Sequence, residues 1–161
     1  MDIDVVRLRP DDWRQYRTVR LEALRDAPVA FGSTLAKEQQ FDEATWRSRL
    51  ETGAVFVART PDSDETEPAG LIGVFHDADG YQLVSMWVRP TARGRKVAEP
   101  LVRAVIDWVA DVGGDSVSLW VTEPNDAARR LYERCGFSYT GKQAPLPSDP
   151  TGTEFRMVRF V

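Results

Sequence analysis

Three cationic side chains, Arg93, Arg95 and Lys96, fall in one tight turn, Arg89-Pro90-Thr91-Ala92-Arg93-Gly94-Arg95-Lys96. Leu83 to Val88 before it reads as a strand, and a helix opens after it near Val97. A strand that runs straight into a helix N-terminus builds an anion site, because the first backbone N–H groups of the helix have no internal partner. With cations added, such a turn suits a phosphorylated ligand. The bland alternative is a solvated basic turn.

Other chemistry is scarce. The chain holds one cysteine, Cys135, and one histidine, His76. A single thiol excludes an intramolecular disulfide and a thiolate zinc cluster, and a single imidazole argues against a histidine-based metal site or triad. No metal is therefore expected. His76 adjoins the turn Asp77-Ala78-Asp79-Gly80 and reads as a hairpin residue. Cys135 has no evident histidine to activate it and reads as structural. A net charge of -4 argues mildly against general nucleic-acid binding, where a broad basic face is expected, so the basic turn is a local feature that a local anion would explain.

These residues must be positioned by a fold. At 161 residues, with 42% apolar and 29% charged side chains, the chain reads as one domain, 1–161, with a sizeable core. Ile3 to Leu8 alternates as a first strand. Asp11 or Asp12 can cap the amphipathic helix that follows, which ends around Asp26-Ala27-Pro28. After a loop at Phe31-Gly32-Ser33, Asp42 can cap a second helix, Glu43 to Leu50, with Gly53 ending it. Ala54 to Arg59 and Leu71 to Phe75 read as buried strands. The acidic stretch between them, Thr60 to Pro68, reads as a solvated tip. Tyr81 to Val88 returns as a hairpin partner.

In the helix after the basic turn, Leu101, Val102, Val105, Ile106 and Val109 share one face, and Pro100 is tolerated in its first turn. Ser116 to Thr122 is a strand that Pro124-Asn125 breaks. Asp126 to Arg134 is a short helix closed by Gly136. Phe137 to Thr140 and Glu154 to Val161 finish as strands. Pro145, Pro147 and Pro150 make Lys142 to Gly152 an irregular loop. The fold class is α/β, a sandwich with one mixed, mainly antiparallel sheet flanked by helices.

The turn Arg93-Gly94-Arg95-Lys96-Val97-Ala98 and the segment Asn125 to Phe137, Asn-Asp-Ala-Ala-Arg-Arg-Leu-Tyr-Glu-Arg-Cys-Gly-Phe, together resemble the GNAT superfamily of acetyl-CoA-dependent N-acetyltransferases. The first is similar to its pyrophosphate turn, Arg or Gln followed by x-x-Gly-x-Gly/Ala. The second is similar to its Asn-x-x-Ala-x-x-Leu-Tyr-x-x-x-Gly-Phe segment. The resemblance spans nearly the whole chain and implies acetyl-CoA as acyl donor. Met86, Trp87 and Val88 would pair with the pantetheine arm. Arg93, Gly94, Arg95, Lys96, Val97, Ala98 and Glu99 would wrap the pyrophosphate, and Asn125 would contact the cofactor. Tyr132 would sit near the thioester sulfur as general acid to the departing thiolate.

Lys96 departs from the pattern, since the family places its first motif glycine there. A side chain at that position could crowd the phosphates, or its ammonium could add a charge contact, while backbone N–H donors remain either way.

An amine acceptor with a pKa of roughly 10.4 must lose a proton before it attacks. Glu22, Glu38 and Glu123 are candidate bases, each with a solvated carboxylate as its plain alternative. The acceptor is a small-molecule amine or a protein or peptide amine, and by resemblance Tyr16, Glu22, Phe31, Ser33 and the loop after Thr140 shape its site. The rival readings are an acyl-CoA-binding sensor without transferase activity and, less favoured, nucleic-acid binding through the basic turn. No membrane span and no apolar leader are evident, so a cytoplasmic location is expected. The resemblance also allows a homodimer.

Overall fold

The computed structural model describes residues 2–28, 31–64, 67–123, 125–147 and 149–161. The chain forms β1 (Asp4–Arg7), α1 (Trp13–Asp26), α2 (Leu35–Glu38), α3 (Glu43–Glu51), β2 (Gly53–Arg59), β3 (Gly70–Asp77) and β4 (Gly80–Val88). It continues as α4 (Ala98–Asp111), β5 (Ser116–Thr122), α5 (Asp126–Arg134), β6 (Ser138–Pro145) and β7 (Thr153–Phe160). The strands make one seven-stranded sheet in the order β1-β2-β3-β4-β5-β7-β6. Every neighbouring pair is antiparallel except β4 with β5, which is parallel, so the expected mixed, mainly antiparallel sheet is present.

Side-chain alternation sorts the core into two layers. Ala54, Phe56, Ile72, Val74, Leu83, Val117, Leu119, Val121 and Met157 face α4 and α5 on one side of the sheet. The helical stripe Leu101, Val102, Val105, Ile106 and Val109 closes that layer and is 6% exposed at most. Burying one such side chain is worth about 1.5–3 kcal/mol, so the stripe alone explains why α4 docks here. On the other side Val55, Val57, Leu71 and Trp87 meet Tyr16, Val19, Leu24, Trp46 and Leu50 of α1 and α3. This second layer covers β1 to β4 and stops there. β5, β7 and β6 have no helix on that face among the described residues.

Two irregularities in β4 matter most. It pairs with β5 only at Tyr81↔Val117 and Gln82↔Ser118, after which the two strands diverge and leave a wedge. Its register with β3 also jumps, from Gly73↔Val84 to Leu71↔Trp87, so β4 carries an extra residue there. Ser85 sits in this bulge at φ +62. The extra residue flips the alternation: Tyr81 and Leu83 pack on the α4 layer before it, Met86 and Val88 after it.

Several sequence expectations need correction. Asp12 does not cap α1 with its side chain; its Oδ2 accepts instead from the Arg9 backbone N–H at 2.8 Å. Asp42 does cap α3, through Thr45 N at 2.9 Å, but Thr52 rather than Gly53 ends it, and Gly53 opens β2. The one-turn helix α2 lies where no helix was expected. β6 runs on to Pro145 although an irregular loop was expected from Lys142. As an edge strand β6 needs only one partner, and its proline stands at the last position, where a missing N–H costs little. A register shift with Gly141 at φ +88 absorbs the kink. Glu65, Thr66, Pro124 and Ser148, within the acidic tip, the break after β5 and the last loop, lie outside the described residues.

Candidate functional site

The wedge between β4 and β5 opens because β4 ends in Met86-Trp87-Val88, hydrogen-bonded to β3 on one edge, while β5 turns toward β7. Beyond Gln82 the β5-facing edge of β4 has no strand partner among the described residues, an edge whose backbone groups suit an extended ligand. Met86 and Val88 turn toward α4. Trp87 is buried on the opposite face, and its indole N–H donates to Asp26 Oδ2 at 2.9 Å.

From Val88 the chain turns at Pro90–Ala92 and reaches the basic segment. Arg93 donates from Nε to the Val88 carbonyl at 3.0 Å and from Nη2 to Asp26 at 2.6 Å. Those two bonds fix the turn against α1 and direct this guanidinium at protein rather than into the wedge. The Trp87 indole, with the Arg93 guanidinium, holds the Asp26 carboxyl below the usual carboxylate range. Arg95 lies 3.6 Å from Asp62, an open pair of little energetic weight. Gly94 has φ +81 and Lys96 φ +61. Lys96 therefore keeps the left-handed backbone that the expected glycine would supply, and its exposed side chain does not crowd the turn. Val97 is buried beneath it, and Ala98 opens α4 with its first N–H groups facing the turn. Glu99, in the first turn of α4, lies 3.9 Å from both Arg103 and Arg134.

Asn125 caps α5, its Oδ1 accepting from Ala128 N at 3.1 Å. Tyr132, two turns on, is 7% exposed and stacks edge-on to Phe137 at 5.8 Å. Burial pushes its phenol well above the ordinary range, and the neighbouring Cys135 adds to the rise. Burial raises the Cys135 thiol too, which makes it a poor nucleophile and fits a structural role. Among the described residues no cluster of His, Cys, Asp and Glu could hold a metal.

On the face opposite Tyr132 lies a cavity of about 700 Å³. Tyr16, Phe31 and Ser33 wall it from the helical side, and Lys142 and Pro147 wall it from the β6–β7 side. Its floor is Ser85 of the bulge with Trp120, Glu154 and Arg156. The wedge thus lies between the α4 face bearing Tyr132 and the face bearing this cavity, which α1 and α3 cover only as far as β4.

The three candidate bases fare differently. Glu22 is not in the cavity; both its oxygens are held by Arg89, whose Nη2 reaches Oε1 at 2.9 Å. Glu38 is completely buried, taking two hydrogen bonds from Arg20 at 2.9 and 3.0 Å and one from Arg49 at 2.9 Å. Burial alone would raise its pKa, but the Arg20 hydrogen bonds and charge, helped by Arg49, hold it down to about 2. A carboxylate so acidic and so enclosed cannot act as a general base. Glu123 is exposed and lines a separate groove of about 400 Å³ with Asn125, Arg129 and Tyr139. Sequence reading missed Glu154 and the Arg20–Glu38–Arg49 cluster. The alternation Glu154, Phe155, Arg156, Met157 carried a faint signal for the first. The second joins three helices and had none.

Residues 9–137 match the family model described as the acetyltransferase (GNAT) family. A mycothiol acetyltransferase of Beutenbergia cavernae is 30% identical over 129 residues, 67% of this chain. The chain spans 43% of that curated relative's length. Among solved structures, an acetyltransferase of the GNAT family from Streptococcus pneumoniae superposes with a TM-score of 0.76 at 15% identity, covering 99% of both chains. The NatC complex bound to Gag peptide and CoA gives 0.73 at 22% identity, over 100% of this chain and 99% of that one. Arabidopsis thaliana NAA60 in complex with acetyl-CoA gives 0.72 at 16%, over 99% of both.

Proposed function

Since the chain belongs to the GNAT family of acetyltransferases, we propose that it moves the acetyl group of acetyl-CoA directly to a primary amine. The observation that carries this reading is the wedge: unpaired β4 backbone beside a left-handed turn that feeds the N-terminus of α4. The residues present suit the donor. Met86 to Val88 offer backbone to an amide-bearing arm, and Arg95, Lys96 and the first N–H groups of α4 offer charge and donors to a pyrophosphate. The donor supplies an activated thioester; the chain supplies position and proton transfer. The Asn125 side-chain oxygen caps α5, and its NH2 has no partner among the described residues.

Tyr132 gives a proton to the departing thiolate in this reading. Its burial keeps the phenol protonated, the form a donor needs. The amine approaches from the opposite face, through the cavity between Phe31 and Pro147. CoA accompanies the NatC complex and acetyl-CoA the NAA60 structure, and the peptide bound to the first and the mycothiol in the curated relative's name suggest two classes of amine to screen.

Calorimetry with acetyl-CoA, followed by a thiol-release screen over small amines and peptide N-termini, tests the proposal. Binding together with thiol release is expected. No binding sinks the reading, and tight binding without transfer to any amine turns it into the acyl-CoA-binding sensor.

A further inference from the structure

Glu154 lines the larger cavity and has no task in the chemistry above. β7 turns Phe155 and Met157 toward the α4 layer and Glu154 and Arg156 toward the cavity. Register sets Glu154 opposite Thr122 and Arg156 opposite Trp120, at the end of β5 that borders the wedge. Arg156 is occupied in part, its guanidinium lying 5.2 Å over the Trp120 ring. The half-buried Glu154 carboxylate has neither a hydrogen bond nor an ion pair among the described residues. A partly desolvated, unpartnered carboxylate is costly to keep unless something cationic visits it.

The other cavity acids are less suited. Asp77 accepts from Asp79 N at 2.8 Å and from Gln82 at 3.3 Å, and Asp79 sits exposed in the hairpin turn. We infer that Glu154 receives the proton of the acceptor ammonium and so serves as the general base that the transfer requires.

This rests on the acetyltransferase reading. The ammonium gives one proton to Glu154, directly or through one water. The freed lone pair forms the N–C bond as the C–S bond breaks, and Tyr132 protonates the thiolate. The second nitrogen proton leaves as the amide forms and, through solvent, restores the phenol. The net products are amide, CoA thiol and one proton released from Glu154. Burial raises the Glu154 carboxyl above its ordinary range, which strengthens it as a base. The charged groups that share its cavity are Arg156 and Lys142 beside it, Arg20 and Arg49 across it, and Asp77 and Asp79 at the far end.

The test compares wild type, Glu154→Gln and Glu154→Asp with an amine accepted by the wild type, measuring kcat, KM, the pH–rate profile and acetyl-CoA affinity. Expected are a fall in kcat of about 100-fold or more for Glu154→Gln at neutral pH, partial recovery in Glu154→Asp, and unchanged acetyl-CoA affinity. The deficit should also shrink toward pH ~10, where the amine deprotonates unaided. A kcat within about threefold of wild type, a deficit independent of pH, or a parallel loss of acetyl-CoA affinity overturns the assignment of Glu154 while leaving the acetyltransferase reading intact. A wild type that binds acetyl-CoA but acetylates no amine in the panel overturns both.

Discussion

Arg20 of α1 and Ser85 of β4, 65 residues apart in sequence, meet at 2.9 Å, the guanidinium donating to the hydroxyl. Ser85 is the bulge residue at φ +62, a conformation costing a non-glycine residue about 1–2 kcal/mol. The Arg20 hydrogen bond offsets part of that cost, so a helical layer that never enters the wedge still shapes its edge. Ser85→Ala keeps the strain and loses the hydroxyl, whereas Ser85→Gly loses both. Ser85→Gly should therefore be the more stable of the two by about 1 kcal/mol in urea unfolding, and equal stabilities would remove strain from the account.

Glu38 makes stability depend on pH in a predictable direction. Its folded pKa of about 2 lies below the ordinary 4.5, so its contribution is fully present above about 4.5 and is lost as pH falls toward 2. The shift corresponds to about 3 kcal/mol. Glu38→Gln should unfold at lower urea than wild type at pH 7, and the gap should close through that acid window. A gap that persists unchanged at pH ~2 would assign the loss to packing instead.

Lys96 keeps a backbone that favours glycine. Lys96→Gly should stabilise the fold by roughly 0.5–1 kcal/mol and leave acetyl-CoA affinity within about threefold, because backbone N–H groups supply most contacts in such a turn. Calorimetry decides the second point. A loss of affinity of about tenfold or more would show the ammonium to be a principal phosphate contact.

Tyr132→Phe removes one oxygen from a packed ring. The phenyl group still meets Phe137, so the melting temperature should barely move, while kcat should fall by about 10²–10⁴ and the KM for acetyl-CoA stay near wild type. Turnover unchanged with a good acceptor would leave Tyr132 a core residue only.

Local signals carried much of this structure. β5 and α5 begin and end where the sequence pattern places them, at Ser116–Thr122 and Asp126–Arg134, because alternation, the Pro124-Asn125 break and a closing Gly136 agree there. What escaped depends on distant partners. Four residues of α2 are too few to show a helical period, yet α2 brings Glu38 to Arg20 and Arg49. Glu22 reads as a candidate base in isolation, but Arg89, 67 residues away, holds both its oxygens. Glu154 stands at the start of a strand that local pattern finds, but only the β5–β7 register puts it beside the wedge.

The two rungs at Tyr81↔Val117 and Gln82↔Ser118 are the whole seam between a four-stranded plate, β1 to β4, and a three-stranded one, β5, β7 and β6. α4 bridges the seam from one side, touching β2, β3, β4 and β5. An extended ligand lying in the gap would serve as a substitute strand, knitting the plates where the polypeptide leaves them apart. Such a fold is tightened by its own ligand: amide exchange should slow along 83–88 when the gap is filled, and the sheet should then melt as one body.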